Sequence, residues 1–399
     1  MTKTSRNSYG FVLALAAMLS AFGPFVTDFY LPALPVLTGY FGTTTSMVQL
    51  SLTFGMIGLA AGQLLIGPLS DRYGRRVLLF YSLVGFALAT AGAIFTTHIT
   101  VFLALRLLQG IFGSGSIVVS KSIATDLYEG GELGKFISVM SIVQGLAPIF
   151  APVLGGLLLQ VMNWQGVFGV LLLVSLILLA MLASFKESLP AAFRVKEGSL
   201  WRVFITYGDV LRNRKFMFYV YVQAFAMGAM FTYISASPFI FQEHYGVSSL
   251  GYSFIFGVNG FAIMLGSLSS LRFQGLRRPM GLGSLGFWVL SLAVALLLVG
   301  GASYLAVEVA FFVQMFCLGM ILPTSMALAL GKERARSGRA SAVLGFLTFL
   351  AGGIVSPLTG LGQMVVSTAV LISVCSTATL LLAWIACGRR VPAVVGARK

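Results

Sequence analysis

The sequence predicts an all-α integral membrane protein of twelve transmembrane helices, folded as two pseudo-symmetric six-helix bundles. Three observations lead there. Of the 399 residues, 58% are hydrophobic and only 9% charged, with a mean hydropathy of +0.96. A soluble domain carries about a quarter of its residues as charges to keep its surface wet. Apolar stretches recur along the whole chain, and about 20 such residues cross a bilayer. Finally, the Lys and Arg outside the spans all fall on one side of the membrane.

The apolar runs are, in order, Tyr9–Leu37, Ser46–Gly67, Val77–Phe95, Val101–Ser120, Leu133–Val161, Val167–Phe185, Phe216–Phe241, Ser249–Leu271, Gly281–Val299, Tyr304–Leu330, Ala340–Leu361 and Val365–Cys387. The first follows Lys3 and Arg6, as a cleavable leader would. It continues through Phe25 to Leu31 and holds Pro24 and Asp28, so it reads as an uncleaved span.

With the N-terminus inside, the even-numbered connections and the C-terminus are inside too. Arg106 and Lys121 stand within spans, and no Lys or Arg falls in an outer connection. The positive-inside bias therefore places both termini in the cytoplasm, in a multi-pass protein of the cytoplasmic (inner) membrane. The net charge of +15 is a topology signal that also favours contact with anionic lipids. It does not point to nucleic acid.

The longest polar stretch, Lys186 to Lys215, follows the sixth span and holds an amphipathic piece around Leu200–Leu211. It divides the chain into an N-terminal bundle (1–185), a cytoplasmic linker (186–215) and a C-terminal bundle with its tail (216–399). The halves echo each other at an offset near 205: Gln109 with Gln314, Pro152 and Gly155 with Pro357 and Gly360, and Leu31-Pro32 close to Ser237-Pro238. Internal repeats of this kind are a transporter architecture.

Enzymatic chemistry finds no support. The two histidines, His98 and His244, fall in outer connections, and Cys317, Cys375 and Cys387 lie in apolar runs without metal-ligand spacing. No Ser/His/Asp set and no G-x-x-x-x-G-K-[ST] nucleotide loop occurs. Neither a metal nor another cofactor is expected.

Between spans two and three stands Gly67-Pro68-Leu69-Ser70-Asp71-Arg72-Tyr73-Gly74-Arg75-Arg76. It resembles the G-x-L-x-D-R-x-G-R-R signature of the major facilitator superfamily, in the loop where that family carries it. Gly67 and Gly74 suit tight turns, and Asp71 suits a positive helix N-terminus. The resemblance implies that Asp71 meets the start of span eleven, near Ser337–Ser341, when the protein is open outward. Arg75 and Asp126 resemble the rest of that conformational latch. The second half keeps only Arg272-Phe273-Gln274-Gly275-Leu276-Arg277-Arg278, without the Asp, so the latch is expected to be one-sided.

Span four opens with Arg106-Leu107-Leu108-Gln109-Gly110, similar to the family's R-x-x-Q-G pattern. An Arg in hydrocarbon costs several kcal/mol and marks a functional position unless it snorkels to the surface. Asp28 lies at similar depth in span one, and two opposite charges at matching depth form a pair cheaper than either alone. Asp28 sits in Asp28-Phe29-Tyr30-Leu31-Pro32-Ala33-Leu34-Pro35, which resembles the D-x-Y-L-P-A-L-P pattern of bicyclomycin-resistance (Bcr/CflA-type) exporters among the drug:proton antiporters. That resemblance implies proton coupling through Asp28 and Arg106. A permanent ion pair tying spans one and four is the structural alternative.

Span five contains Gly145-Leu146-Ala147-Pro148-Ile149-Phe150-Ala151-Pro152-Val153-Leu154-Gly155-Gly156. It resembles the antiporter motif G-P-x-x-G-G with Ala151 in place of Gly, and it implies export. Small residues allow helices to approach, and Pro lets a helix bend. Tyr30, Gln144, Tyr219, Gln223, Tyr233, Asn259 and Glu308 are candidate cavity residues. Glu308 is also a candidate second titrating group, and Lys121 an interfacial anchor.

These readings converge on a proton-coupled antiporter that exports small amphipathic molecules such as antibiotics. It would be driven by the proton gradient, with substrate, protons and membrane lipids as its partners, and monomeric by resemblance. The alternative is a carrier of one metabolite (a sugar, amino acid or siderophore), possibly a facilitator without proton linkage.

Overall fold

The structure is a computed structural model that describes residues 7–194, 207–333 and 337–388. Lys3, Arg6 and most of the amphipathic piece expected at Leu200–Leu211 lie outside these residues. Twelve helices among the described residues are long and apolar enough to cross a membrane. Spans two to six are Thr45–Tyr73, Arg75–Phe95, Ile99–Leu127, Gly130–Leu158 and Trp164–Ser184. Spans seven to twelve are Arg214–Phe239, Ser249–Ser270, Arg277–Val299, Tyr304–Leu330, Ser337–Leu358 and Met364–Gly388. "Inner" below denotes the face that carries Tyr9.

Span one is broken, where the sequence suggested one continuous run. Its first helix, Tyr9–Asp28, stops; a 3-10 turn, Leu31–Ala33, follows; and a second helix runs Leu34–Phe41. The cause is local. Pro32 has no N–H to give the carbonyl of Asp28, Pro35 none for Leu31, and each proline biases the residue before it away from helix. The break sits inside the bundle, with Tyr30, Leu31, Ala33 and Leu34 all buried. Non-helical backbone at membrane depth is tolerated where protein covers it.

Within the first half, spans two and four approach until backbones touch. A Cβ on Gly110 would run into the Gly55 carbonyl and sit 2.9 Å from the Gly58 Cα. Spans eight and ten repeat this contact with Gly266 and Gly319. Small residues at helix seams let dispersion and backbone contacts replace the hydrophobic drive that lipid does not supply.

The two halves are joined at the outer side. Ser46 Oγ donates to the Pro357 carbonyl (3.3 Å), Gln49 Nε2 to the Ser235 carbonyl (3.0 Å) and Gln242 Nε2 to the Pro32 carbonyl (3.3 Å). One apolar core runs without interruption from Leu31, Leu34, Met56 and Trp164 of the first half to Phe239 and Phe311 of the second. The inner part of the first half instead packs on itself, around Leu15, Leu19, Phe86, Phe136 and Leu178. The protein is therefore seen in a state closed at its outer face. A crevice of about 870 Å³ remains there, lined by hydroxyls from Thr38 to Ser46 and by Glu243 and His244.

Candidate functional site

The break in span one leaves helix-end carbonyls without partners, and span four supplies a donor. Arg106 is fully buried, at 0% exposure, so it does not snorkel. Its Nη2 donates to the Val26 carbonyl at 3.0 Å and its Nη1 to Gln109 Oε1 at 2.7 Å. The guanidinium carbon lies 4.4 Å from the ring centre of Tyr30 and 5.9 Å from that of Phe168. Gln109 in turn donates to Thr90 at 2.8 Å, and the Tyr30 hydroxyl bonds Ser51 at 2.9 Å. A cation at a helix C-terminus meets the negative end of the dipole and fills orphan carbonyls.

This corrects the pairing expected from sequence. Among the described residues no ion pair joins Arg106 to Asp28 within 4 Å; the ion pairs present all lie at the inner face. Depth alone could not reveal that the arginine would find a backbone carbonyl two residues before the aspartate. Asp28 itself is 5% exposed. It ends the first helix, with the Thr27 hydroxyl beside it, and lies within electrostatic reach of Tyr30 and of Tyr252 from span eight. It is thus a buried carboxyl without a basic partner among the described residues, at the junction of the halves.

Span five packs directly on this turn. Its helix runs unbroken through Gly145, Pro148 and Pro152 to Leu158. A side chain on Gly155 would overlap the carbonyl of Phe29, and one on Gly156 would overlap Ser253 of span eight. Ala151 is fully buried. The glycines of the span-five motif therefore let span one's broken segment and the second half meet the same helix.

The cavity candidates divide. Tyr30 is locked beneath Arg106 and does not line open space. Tyr219 and Gln223 are buried, the latter accepting from Ser325 at 3.2 Å, and Gln144 is half-buried. Tyr233, Asn259 and Glu308 form one cluster. Asn259 Nδ2 stands 3.0 and 3.1 Å from the two Glu308 carboxyl oxygens and 2.9 Å from the Tyr233 hydroxyl. Lys121 is exposed at the inner half of span four.

At the inner face the loop between spans two and three is built as a charge cluster. Gly74 takes φ +98, a conformation open chiefly to glycine, and span three begins at the next residue. Gly67, by contrast, lies within the span-two helix and makes no turn. Arg75, 6% exposed, donates from Nε to Asp126 at 2.9 Å and from Nη1 to Asp71 at 2.5 Å and Ser70 at 2.6 Å. Asp71 is 52% exposed. The side chain of Ser337, at the start of span eleven, lies outside the described residues. Arg76 donates to the Ala183 carbonyl and Arg72 lies over Tyr73.

Sequence reasoning missed Glu187. Its carboxylate accepts the amides of Arg75 (2.9 Å) and Arg76 (3.2 Å), capping span three from the segment after span six, while Arg194 lies 3.5 Å away. Ser188 adds a hydroxyl to Asp126 at 3.0 Å. The available signal was an acid directly after a span, where basic residues prevail.

Residues 11–357 match the Major Facilitator Superfamily. The chain belongs to that superfamily. It is accordingly a transporter and not an enzyme. It is 37% identical, over 91% of its length and 90% of the relative's, to an uncharacterized MFS-type transporter, YdgK, of Bacillus subtilis (strain 168). It is 28% identical to a bicyclomycin resistance protein homolog of Haemophilus influenzae, over 88% of this chain and 89% of that one. A chloramphenicol resistance protein of Pseudomonas aeruginosa is also 28% identical, over 91% and 87%. Among solved structures, a D-xylose-proton symporter superposes with a TM-score of 0.74 at 16% identity, covering 93% of this chain and 97% of that one. A bacterial homolog of the human lysosomal transporter Spinster gives 0.70 at 16% identity, over 97% and 96%. At such identities the likeness establishes the transporter's fold alone.

Proposed function

We propose that this transporter exports small amphipathic molecules, antibiotics among them, in exchange for protons. It would work as a monomer in the cytoplasmic membrane with both termini inside. The observation that carries this reading is Asp28: a buried carboxyl with no basic partner among the described residues, at the break of span one, next to Phe29, whose carbonyl packs on Gly155 of span five. Relatives named for resistance to bicyclomycin and chloramphenicol support the substrate class, and the one-sided distribution of Lys and Arg supports the orientation.

Exchange follows from competition at that carboxyl. When the halves open outward, Asp28 takes a proton and substrate leaves. In the outer-closed arrangement the proton leaves inward and substrate is admitted. Arg106 holds the broken helix end fixed throughout, through Val26, so that Asp28 changes charge without the helix unwinding. The two halves rock about this junction, and the Arg75–Asp126–Glu187 cluster makes and breaks at the inner face.

The test uses inside-out vesicles energised to an acidic interior, with a pH-quenched dye and with chloramphenicol and bicyclomycin as probes. Protein-dependent proton release on addition of either compound is the expected result. Uptake of a probe without proton movement would favour a facilitator.

A further inference from the structure

We infer that Glu308, with Asn259 and Tyr233, forms a second proton-binding site in the C-terminal half. Asp28 and Glu308 are the two buried carboxyls among the described residues, at 5% and 9% exposure, one in each half. Neither has a Lys, Arg or His nitrogen within 4 Å among those residues. An ionised carboxylate with a single neutral amide as partner is costly to bury. A carboxylic acid in the same place is not.

The bonding of Asn259 points the same way. Its NH2 group has two hydrogens but faces three oxygens, those of Glu308 and Tyr233. Its Oδ1 is buried with no partner. Half a turn of the amide exchanges the two ends. Oδ1 then accepts the O–H of a protonated Glu308 and the O–H of Tyr233. With the proton gone, the NH2 end returns and donates to the carboxylate. The amide thus serves both states, and the proton enters and leaves at a Glu308 oxygen with no other covalent bond made or broken.

Spans seven, eight and nine, which pack on span ten, bring no Lys, Arg or His nitrogen within 4 Å of this carboxyl among the described residues. Span seven presents Tyr233, and span eight presents Tyr252, whose hydroxyl bonds Ser237 at 3.2 Å. The outer half of span nine, from Trp288 to Val299, contains no ionisable side chain. On span ten the nearest are Tyr304, exposed near the membrane surface, and Cys317, more than two turns inward. The rings of Tyr233, Phe256 and Phe311 pack on one another, with centroids 5.7 and 4.9 Å apart.

What the proton is used for rests on the exchange reading above; its presence does not. Infrared spectra of the purified transporter in lipid, taken near pH 7, read the C=O stretch of protonated carboxyls while exposed acids are ionised. In Asp28→Asn a protonated-carboxyl band should remain, and Glu308→Gln in that background should remove it. Asn259→Leu should shift its frequency. Absence of the band in Asp28→Asn would overturn the assignment, even if Glu308→Gln fails to insert. A carboxylate signal that responds to tetraphenylphosphonium without proton uptake would also overturn it, and would assign the site to an organic cation. Failure of the proton-exchange assay with the band intact would count against the role of Asp28 only.

Discussion

Arg106 caps the helix that Asp28 ends by donating to the Val26 carbonyl, 3.0 Å away. The arginine thus serves the aspartate through the backbone. In the second half, 205 positions later, Tyr233 and Phe311 take the places of Asp28 and Arg106, their rings 4.9 Å apart. There Gln314, the counterpart of Gln109, still donates to Ser291 at 2.7 Å, but its Oε1 has lost its partner. The duplicated scaffold persists while its charge has moved to Glu308.

Replacing Arg106 by Leu strips partners from two buried acceptors, Gln109 Oε1 and the Val26 carbonyl. At about 1–3 kcal/mol for each unsatisfied group, a loss of about 2–6 kcal/mol is expected. Arg106→Lys, with one compact ammonium and no fork, should fall between. Thermal midpoints of the detergent-purified proteins measure this. A Leu variant as stable as wild type would mean the cap is idle.

At the inner face the two aspartates that share Arg75 should behave differently. Asp126 is 13% exposed and also holds Ser188, whereas Asp71 is half in solvent. Asp126→Asn should cost about 2–3 kcal/mol, somewhat under the ~3–5 of a fully buried pair. Asp71→Asn should cost about 0–1 kcal/mol. The same thermal assay ranks them, and equal effects would contradict the burial argument.

Glu187 caps span three from outside that helix. Glu187→Ala should destabilise by about 0.5–2 kcal/mol, the range for lost helix caps. Glu187→Gln, which keeps an acceptor oxygen, should lose less. Amide hydrogen exchange at Arg75 and Arg76 reads the effect directly: both amides should exchange faster in the Ala variant.

Span five offers a paired comparison of glycines. At Gly155 an added methyl collides with the Phe29 carbonyl, whereas at Gly169 of span six nothing lies within 4 Å. Gly155→Ala should abolish transport of chloramphenicol or bicyclomycin. Gly169→Ala should leave transport unchanged and stabilise its helix by up to about 1 kcal/mol. Transport by both variants alike would show that spans one and five do not need this approach.

Much of this molecule is legible in its sequence. Lipid demands about 20 apolar residues per crossing, so twelve spans could be counted. The Gly74–Arg75 turn could be placed because its residues are neighbours in sequence. What stayed hidden depends on partners with no sequence identity. Arg106 chose a backbone carbonyl, which any residue at position 26 would offer. Tyr30 read as a cavity residue because tyrosine suits one, yet the guanidinium above and Ser51 beside it hold it in the core. Glu187 acts on amides 111 and 112 positions earlier, a distance no periodicity bridges. Asn259 and Glu308 were both candidates, and only helix packing shows that they touch.

The most direct measurement compares wild type with Asp28→Asn in proteoliposomes, using radiolabelled chloramphenicol, or bicyclomycin if only that compound evokes proton release. Two modes are followed: accumulation driven by a pH gradient, and equilibrium exchange without one. If Asp28 carries the coupled proton, the Asn variant loses gradient-driven accumulation at least tenfold while exchange continues. If the variant accumulates drug as wild type does, Asp28 is a structural carboxyl and the proton travels elsewhere.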